Sequence, residues 1–381
     1  MYIDKAYVIQ IRRELHQIPE IEFDLPKTLA VIRRELETIG LPYTEQYGKS
    51  SIIATLNEGK GNKTIALRAD MDALPITEQT GLPFSSTHPG NMHACGHDCH
   101  TAMLLGAAKA LKAMESQIQC CIKFVFQASE EGPSGAKLIC DDGFMEQIDM
   151  IIGCHVMPDM PSGTVLISKE CANASCHNFS ITIDGKSCHV ARPHQGIDAI
   201  AMANRIYSDI QIMRAREMDP FQPVVIGIGT IHGGNASNVV CERVVMEGSV
   251  RALKQETDDT AVSRMRSICE SISKDTGGTA QFNSVRFTPC VTNHPQIRDA
   301  LITAAEEVAG TNAVLERPVS MGSEDFAFYL QHKPGAMFSL GVAPEGKPII
   351  PLHNGKMIVD ENALDTGANV FVQFVLDQMR K

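Results

Sequence analysis

Residues 92–100 read MHACGHDCH, which places two cysteines, three histidines and an aspartate in nine positions. Thiols and imidazoles at this density can form a thiol clip, a redox pair, a closed structural metal knuckle or an open catalytic metal site. Cys95 and His97 stand two apart, so in an extended segment both side chains point to one face, as ligands of one ion or of neighbouring ions require. A thiolate with an imidazole favours zinc or another borderline divalent ion over magnesium or calcium. The chain has no Cys-x-x-Cys pair, which removes a thioredoxin-like motif and a four-cysteine zinc ribbon.

Further acids and imidazoles follow apolar runs of strand length. Asp70 and Asp72 close TIALRADMD, Glu130 and Glu131 close IKFVFQASEE, and His155 closes DMIIGCH. Ligands of open parallel sheets bind at the carboxyl ends of strands, so these ends are expected to converge on one site. Adjacent carboxylates point in different directions, which lets one hold a metal while the other faces a bound water. That is equipment for hydrolysing an amide. Each feature alone has a plainer explanation: a Cys-x-His packed under a loop, an acidic turn before GPSG, a core His155, a loop His353 in PLHNGK.

The elements that must position these residues alternate. IDKAYVIQIRRELHQIP and LPKTLAVIRRELETIG have helical apolar spacing and stop at Pro19 and Gly40. SSIIATLN, KTIALRADMD, QCCIKFVFQASEE and DMIIGCHVM read as strands, with the Ala/Leu-rich helix HTAMLLGAAKALKAM between the second and third. Such alternation predicts an α/β fold, a mostly parallel sheet flanked by helices. From Asn178 to Cys290 the order becomes β-α-β-β-α-β, a ferredoxin-like unit. The expected organisation is a catalytic domain of residues 1–177 and 291–381, with residues 178–290 inserted as a second domain.

Bulk properties narrow the function. A length of 381 residues exceeds the span of one growing core, which favours two domains. A net charge of -11 argues against a nucleic-acid partner. No apolar run reaches membrane-span length, and the first residues lack the pattern of a signal peptide, so a cytoplasmic protein is expected. The twelve cysteines are scattered, and most are expected as reduced core residues.

Taken together, RRELHQIPEIEF, LRADMDALPI, HACGHDCHTAMLLGAA, FQASEEGPSGAK, GCHV, HVARPHQGIDAI, GIGTIHGGNASNVV, MGSEDFAFY and PLHN resemble the metal-dependent N-acyl-amino-acid amidohydrolases. That family includes hippurate hydrolase and the indole-acetyl-amino-acid hydrolases, and is related to aminoacylase and carboxypeptidase G. The resemblance implies a zinc-peptidase-like catalytic domain with an inserted lid and dimerisation domain. It implies two divalent ions per subunit (zinc, manganese, cobalt or nickel) held by Cys95, His97, Glu131, His155 and His353, with Glu130 as general acid/base. His189 would stabilise the oxyanion, in some relatives from the partner subunit of a homodimer. Asn238, Gly322 and Ser323 would contact substrate, and Asp70, Asp72 and Asp98 would support the ligands, Asp98 by orienting a metal-bound imidazole. His100 is expected to start the helix and pack locally. The implied substrate is a small N-acyl amino acid. A dipeptidase or carboxypeptidase on the same scaffold is the alternative, and a binding protein without catalysis a weaker one. One departure concerns the lid: Ser187 and Cys188 stand where the family has two glycines, so a need for φ > 0 at either would rearrange the loop before His189.

Overall fold

The computed structural model describes residues 2–379. The chain opens with α1 (Lys5–His16), whose first turn is capped by the Asp4 side chain accepting from Tyr7 N–H. Helix α2 (Pro26–Ile39) starts on proline and ends at a left-handed Gly40. There follow β1 (Tyr43–Thr44), β2 (Ile52–Leu56), β3 (Thr64–Asp70), α3 (His97–Ala113), β4 (Cys121–Gln127), α4 (Gly135–Asp141), β5 (Met150–Pro161) and β6 (Val165–Ile167). The middle of the chain carries β7 (Cys171–Asn173), β8 (Cys176–Asp184), α5 (Ala199–Arg216), β9 (Val224–Gly233), β10 (Arg243–Ala252), α6 (Gln255–Thr276), β11 (Thr279–Thr288) and β12 (Val291–Thr292). It ends with α7 (Pro295–Ala309), β13 (Val314–Glu316), α8 (Ala327–Leu330), β14 (Gly335–Ala343) and α9 (Leu364–Met379).

Two units result. The first runs to Ala172 and resumes over Thr292–Pro318 and from Asp325 onward; the second is Asn173–Val291 with the short segment Val319–Glu324. That last segment, which carries Gly322 and Ser323, lies far in sequence from the rest of the second unit.

The first unit is built on an eight-stranded sheet in the order β1-β2-β4-β3-β5-β14-β6-β13. Its centre is parallel, with β3 paired to both β4 and β5, and β5 to β14. Antiparallel pairs occur at β1–β2, β2–β4 and β14–β6. Strand β4 is buried along its whole length, which explains why its sequence is mostly apolar, with Lys123 paired to Glu58 at 2.8 Å. Leu104, Leu105 and Leu111 of α3 and Phe371 and Phe374 of α9 share one core with Leu67, Phe124 and Phe338 from the strands.

The second unit is a four-stranded antiparallel sheet in the order β11-β8-β10-β9. Numbered within the unit this is 4-1-3-2, the ferredoxin-like arrangement. Its core joins Phe179, Ile181, Met246 and Phe282 of the strands to Met202, Ile206, Met265 and Ile272 of α5 and α6. Each of the twelve cysteines is a free thiol, and all but Cys171 and Cys188 are buried. Among the described residues, no helix is long and apolar enough to cross a membrane.

Candidate metal centre and catalytic site

The Cys95–His97 pair converges by a route the alternation of an extended segment did not anticipate. His97 is the first residue of α3, and Gly96 before it is left-handed at φ 86°. A Cβ at Gly96 would lie 2.3 Å from Val156 Cγ2. Glycine is therefore required twice here, for the turn and for the close approach of β5.

His155 also corrects the expectation of a strand end. It lies inside β5, which continues to Pro161. Pairing of β5 with β3 ends at Gly153, so His155 sits two residues past the last paired position, level with Asp70 at the end of β3, while β14 still pairs alongside it. Its Nδ1–H donates to Val156 O at 2.7 Å, which leaves Nε2 as the free lone pair, 3.4 Å from Cys95 Sγ. The hydrogen bond thus sets the tautomer a metal ligand needs.

His100 does more than pack locally. Val156 N–H donates to its Nε2 at 2.8 Å, so Nδ1 carries the proton and donates to Asp70 Oδ1 at 2.6 Å. With both nitrogens engaged it is a strut between β3, α3 and β5. His353 stands at φ 60°, a costly conformation for a side chain of this size. Its N–H donates to Ala94 O at 2.9 Å, next to Cys95, and its Nε2 lies 3.1 Å from Glu131 Oε1.

The two glutamates follow Ser129, also left-handed at φ 56°. The GPSG turn after them folds back onto the strand: Gly135 N–H donates to Ser129 O at 2.9 Å. Asp72 clamps the pair, its two oxygens accepting from Glu130 N at 3.0 Å and Glu131 N at 3.1 Å. Asp72 Oδ1 is also 3.3 Å from His97 Nδ1.

The residues present fit a metal. Ligand atoms of Cys95, His97 and His155 lie within 4.8 Å of one another, as do those of Cys95, Glu131 and His353, and of His97, Glu130 and Glu131. Cys95 joins the first two groups. Both nitrogens of His97 and Oε1 of Glu131 are buried without a well-aligned hydrogen bond, although Asp72 Oδ1 lies 3.3 Å from Nδ1 and His353 Nε2 lies 3.1 Å from Oε1. Buried polar atoms without partners are expensive; with Asp72 Oδ1 facing His97 Nδ1, a cation taken up by Nε2 and by Glu131 Oε1 would answer the other two.

The electrostatics agree. Burial pushes the Cys95 thiol well above its usual range, against the pull of His97. Burial would lower His97, but Asp70 and Cys95 outweigh it and raise the imidazole well above its usual value. For Asp70, burial is overcome by His97, Arg68 and His100, which hold the carboxyl well below its ordinary value. Apart from metal, then, Cys95 and His97 hold protons that a cation must displace.

Comparison with known proteins gives the family. Residues 66–377 match the model of peptidase family M20/M25/M40. The chain belongs to that family. The chain is similar to an N-acetyl-L-cysteine deacetylase of Bacillus subtilis, 36% identical over 94% of this chain and 84% of the relative. Thermostable carboxypeptidase 1 of Saccharolobus solfataricus is 36% identical over 95% of this chain and 93% of its own. A Bacillus subtilis structure described as a dinuclear metal binding peptidase from the M20 family superposes with a TM-score of 0.85 at 32% identity, covering 99% of this chain and 98% of that one. This M20 chain is a metal-dependent hydrolase of amide bonds.

The remaining expected residues fall elsewhere. Asp98 does not orient a ligand imidazole. Its Oδ2 lies 2.7 Å from His16 Nδ1 and 2.8 Å from Arg12 Nε, so α1 takes up the carboxylate. His189 and Asn238 are exposed in the second unit, where His189 bridges Val239 and Val190 N–H donates to Asn238 O at 3.1 Å. Neither Ser187 nor Cys188 takes a positive φ. Gly322 is exposed, with its N–H donating to Ser320 Oγ at 3.0 Å, and Ser323 is half-buried beside it.

Sequence reasoning passed over Arg68, Gln127, Asp325 and Tyr329, which form a buried polar cluster around Asp70. Arg68 Nη1 donates to Asp70 at 2.7 Å and Nη2 to Asp325 at 2.8 Å. The available signal was an arginine following the apolar stretch of TIALRAD, which a buried strand tolerates only when the charge is paired.

Proposed function

We propose that this M20 hydrolase cleaves the amide bond of N-acyl amino acids, releasing a free amino acid and a carboxylic acid. The observation that carries the reading is the pair of ligand groups meeting at Cys95, with Glu130 beside them. In this reading Cys95, His97, Glu131, His155 and His353 hold two divalent ions, drawn from zinc, manganese, cobalt or nickel. When bound, such ions supply Lewis acidity at the amide carbonyl and acidify water toward neutrality.

The chain's own residues do the rest. The Glu130 carboxylate takes the proton of the attacking water and delivers it to the leaving amine nitrogen. Asp72 holds the backbone of both glutamates, so the base and the ligand keep their separate aims. His189 donates to the developing oxyanion, and Asn238 with the backbone at Gly322 and Ser323 receives the amino-acid end. The deacetylase relative supports an acyl group as the part removed, whereas the carboxypeptidase relative supports a peptide. Assaying N-acetyl amino acids, benzoylglycine and dipeptides side by side tests the choice. Preference for the acyl amino acids is expected, and turnover confined to dipeptides would replace this reading with the peptidase one.

We further propose that the second unit is the lid and forms a homodimer contact. Its β9 lies at the sheet edge and exposes Val225 and Ile231, and unpaired edges invite strand addition.

A further inference from the structure

We propose that Asp325 is a positioning residue for the Glu130 carboxylate, anchored by a buried chain of hydrogen bonds that starts at Asp70. The inference rests on Glu130 being the acid/base group. The Asp325 backbone N–H donates to Glu130 Oε1 at 3.4 Å. A bond of that length is loose, as catalytic contacts often are before substrate binds.

What holds that N–H in place is the side chain of the same residue. Its Oδ1 accepts from Arg68 Nη2 at 2.8 Å and from Gln127 Nε2 at 2.9 Å. Its Oδ2 accepts from Gln127 Nε2 at 2.8 Å, Ser134 Oγ at 3.0 Å and Ala136 N at 3.1 Å. Asp325 and Arg68 are both almost fully buried. The Gln127 amide cannot flip, because its Oε1 accepts from Arg68 Nε and from Tyr329 O–H, each at 2.9 Å. Arg68 in turn donates to Asp70, whose other oxygen holds His100.

The result is a rigid polar path. One end is the acid under the histidine strut, and the other is the N–H aimed at the base. Through this path the end of β3, the end of β4 and the segment before α8 share one geometry. The Ser134–Asp325 bond also ties the turn after the two glutamates to the same anchor. Because the path is buried and every member has partners, a change at Asp325 moves the N–H without opening the metal ligands.

The test is a double-mutant cycle on the full-length metal-loaded enzyme, read as kcat, KM and metal content. Asp325→Asn should lower kcat by about 10- to 100-fold, the scale of a small misplacement of a reacting group, with KM and metal content unchanged. In a Glu130→Gln background the same change should cost less than about 2-fold, since no base remains to be placed. Tyr329→Phe, which removes the O–H donor to Gln127 Oε1, serves as a milder second arm and decides the matter if Asp325→Asn does not fold. It should lower kcat by about 3-fold in the wild-type background and leave the Glu130→Gln enzyme unchanged. Equal losses in both backgrounds, or a loss that follows metal content, would overturn the proposal and leave a purely structural role. A wild-type enzyme with no amide hydrolysis overturns the functional reading as well, whereas an active wild type with an additive cycle overturns this inference alone.

Discussion

At the scale of single residues, Glu130 and Glu131 are neighbours whose backbone N–H groups share one clamp, yet their carboxylates have different company. Glu131 lies against His353 and belongs to both ligand groups that meet at its side chain. With Glu130 as the proposed acid/base group, Glu130→Gln is expected to retain metal while turnover falls about 100-fold or more. Glu131→Gln is expected to lose metal. Metal content by elemental analysis, measured beside kcat, separates the two; the reverse pattern would exchange their roles. Acid should also strip the site. Cys95 and His97 carry protons when no metal is bound, since both titrate above their ordinary ranges. Protons and cations thus compete, and metal affinity should fall steadily as pH is lowered below neutrality. Equilibrium dialysis across that range would show it, and a pH-independent affinity would exclude these two residues as ligands.

At the scale of elements, the junction of α1 with the start of α3 is held by charge. Asp98 lies between Arg12 and His16, and His16 Nε2 lies 3.3 Å from Glu78. Burial alone would lower His16, but Asp98 outweighs it and raises the imidazole above its usual 6.5. A group whose folded pKa is raised stabilises fully below the unfolded value, and loses that contribution as pH rises through the folded one. For Glu78, burial is outweighed by bonds from His16 and Thr80, which hold it at about 2 rather than 4.5. Its contribution is present above about 4.5 and disappears as pH falls toward about 2. His16→Ala should therefore cost about 3–5 kcal/mol near pH 6, the scale of breaking a buried ion pair, and less at pH 9. Denaturant melts at the two pH values check the sign. Gly96→Ala should be worse for function, because the new Cβ strikes Val156 beside His155. Weakened metal retention in that variant, with secondary structure intact, is the expected result.

At the scale of the whole molecule, the second unit presents an edge strand with exposed apolar residues and carries His189 on its surface. If a second copy extends that edge, His189 can serve a site in its own subunit or in the partner. Mixing inactive Glu130→Gln and His189→Ala chains under subunit exchange distinguishes these. Recovered activity is expected for shared sites, since some mixed dimers then hold one intact set. No recovery despite proven exchange would place His189 in its own subunit or outside the reaction.

Residue types and local spacing determined much of this protein. The apolar run of β4 and the Ala/Leu face of α3 report burial directly, because periodicity is set by backbone geometry that every chain shares. The ligand types were legible for a related reason: few soluble sequences crowd thiols, imidazoles and paired acids unless a cation is to be held. Tertiary structure decided what depends on approach between distant segments. His100 became a strut and Asp98 a partner of α1 because β5 and α1 arrive beside α3, and no local pattern encodes that arrival. Arg68 and Asp325 are 257 positions apart, and their pairing exists only once the sheet brings β3 to the segment before α8. A buried charge can be noticed in a sequence, but its partner is chosen by the fold, since burial makes pairing compulsory without saying which group supplies it.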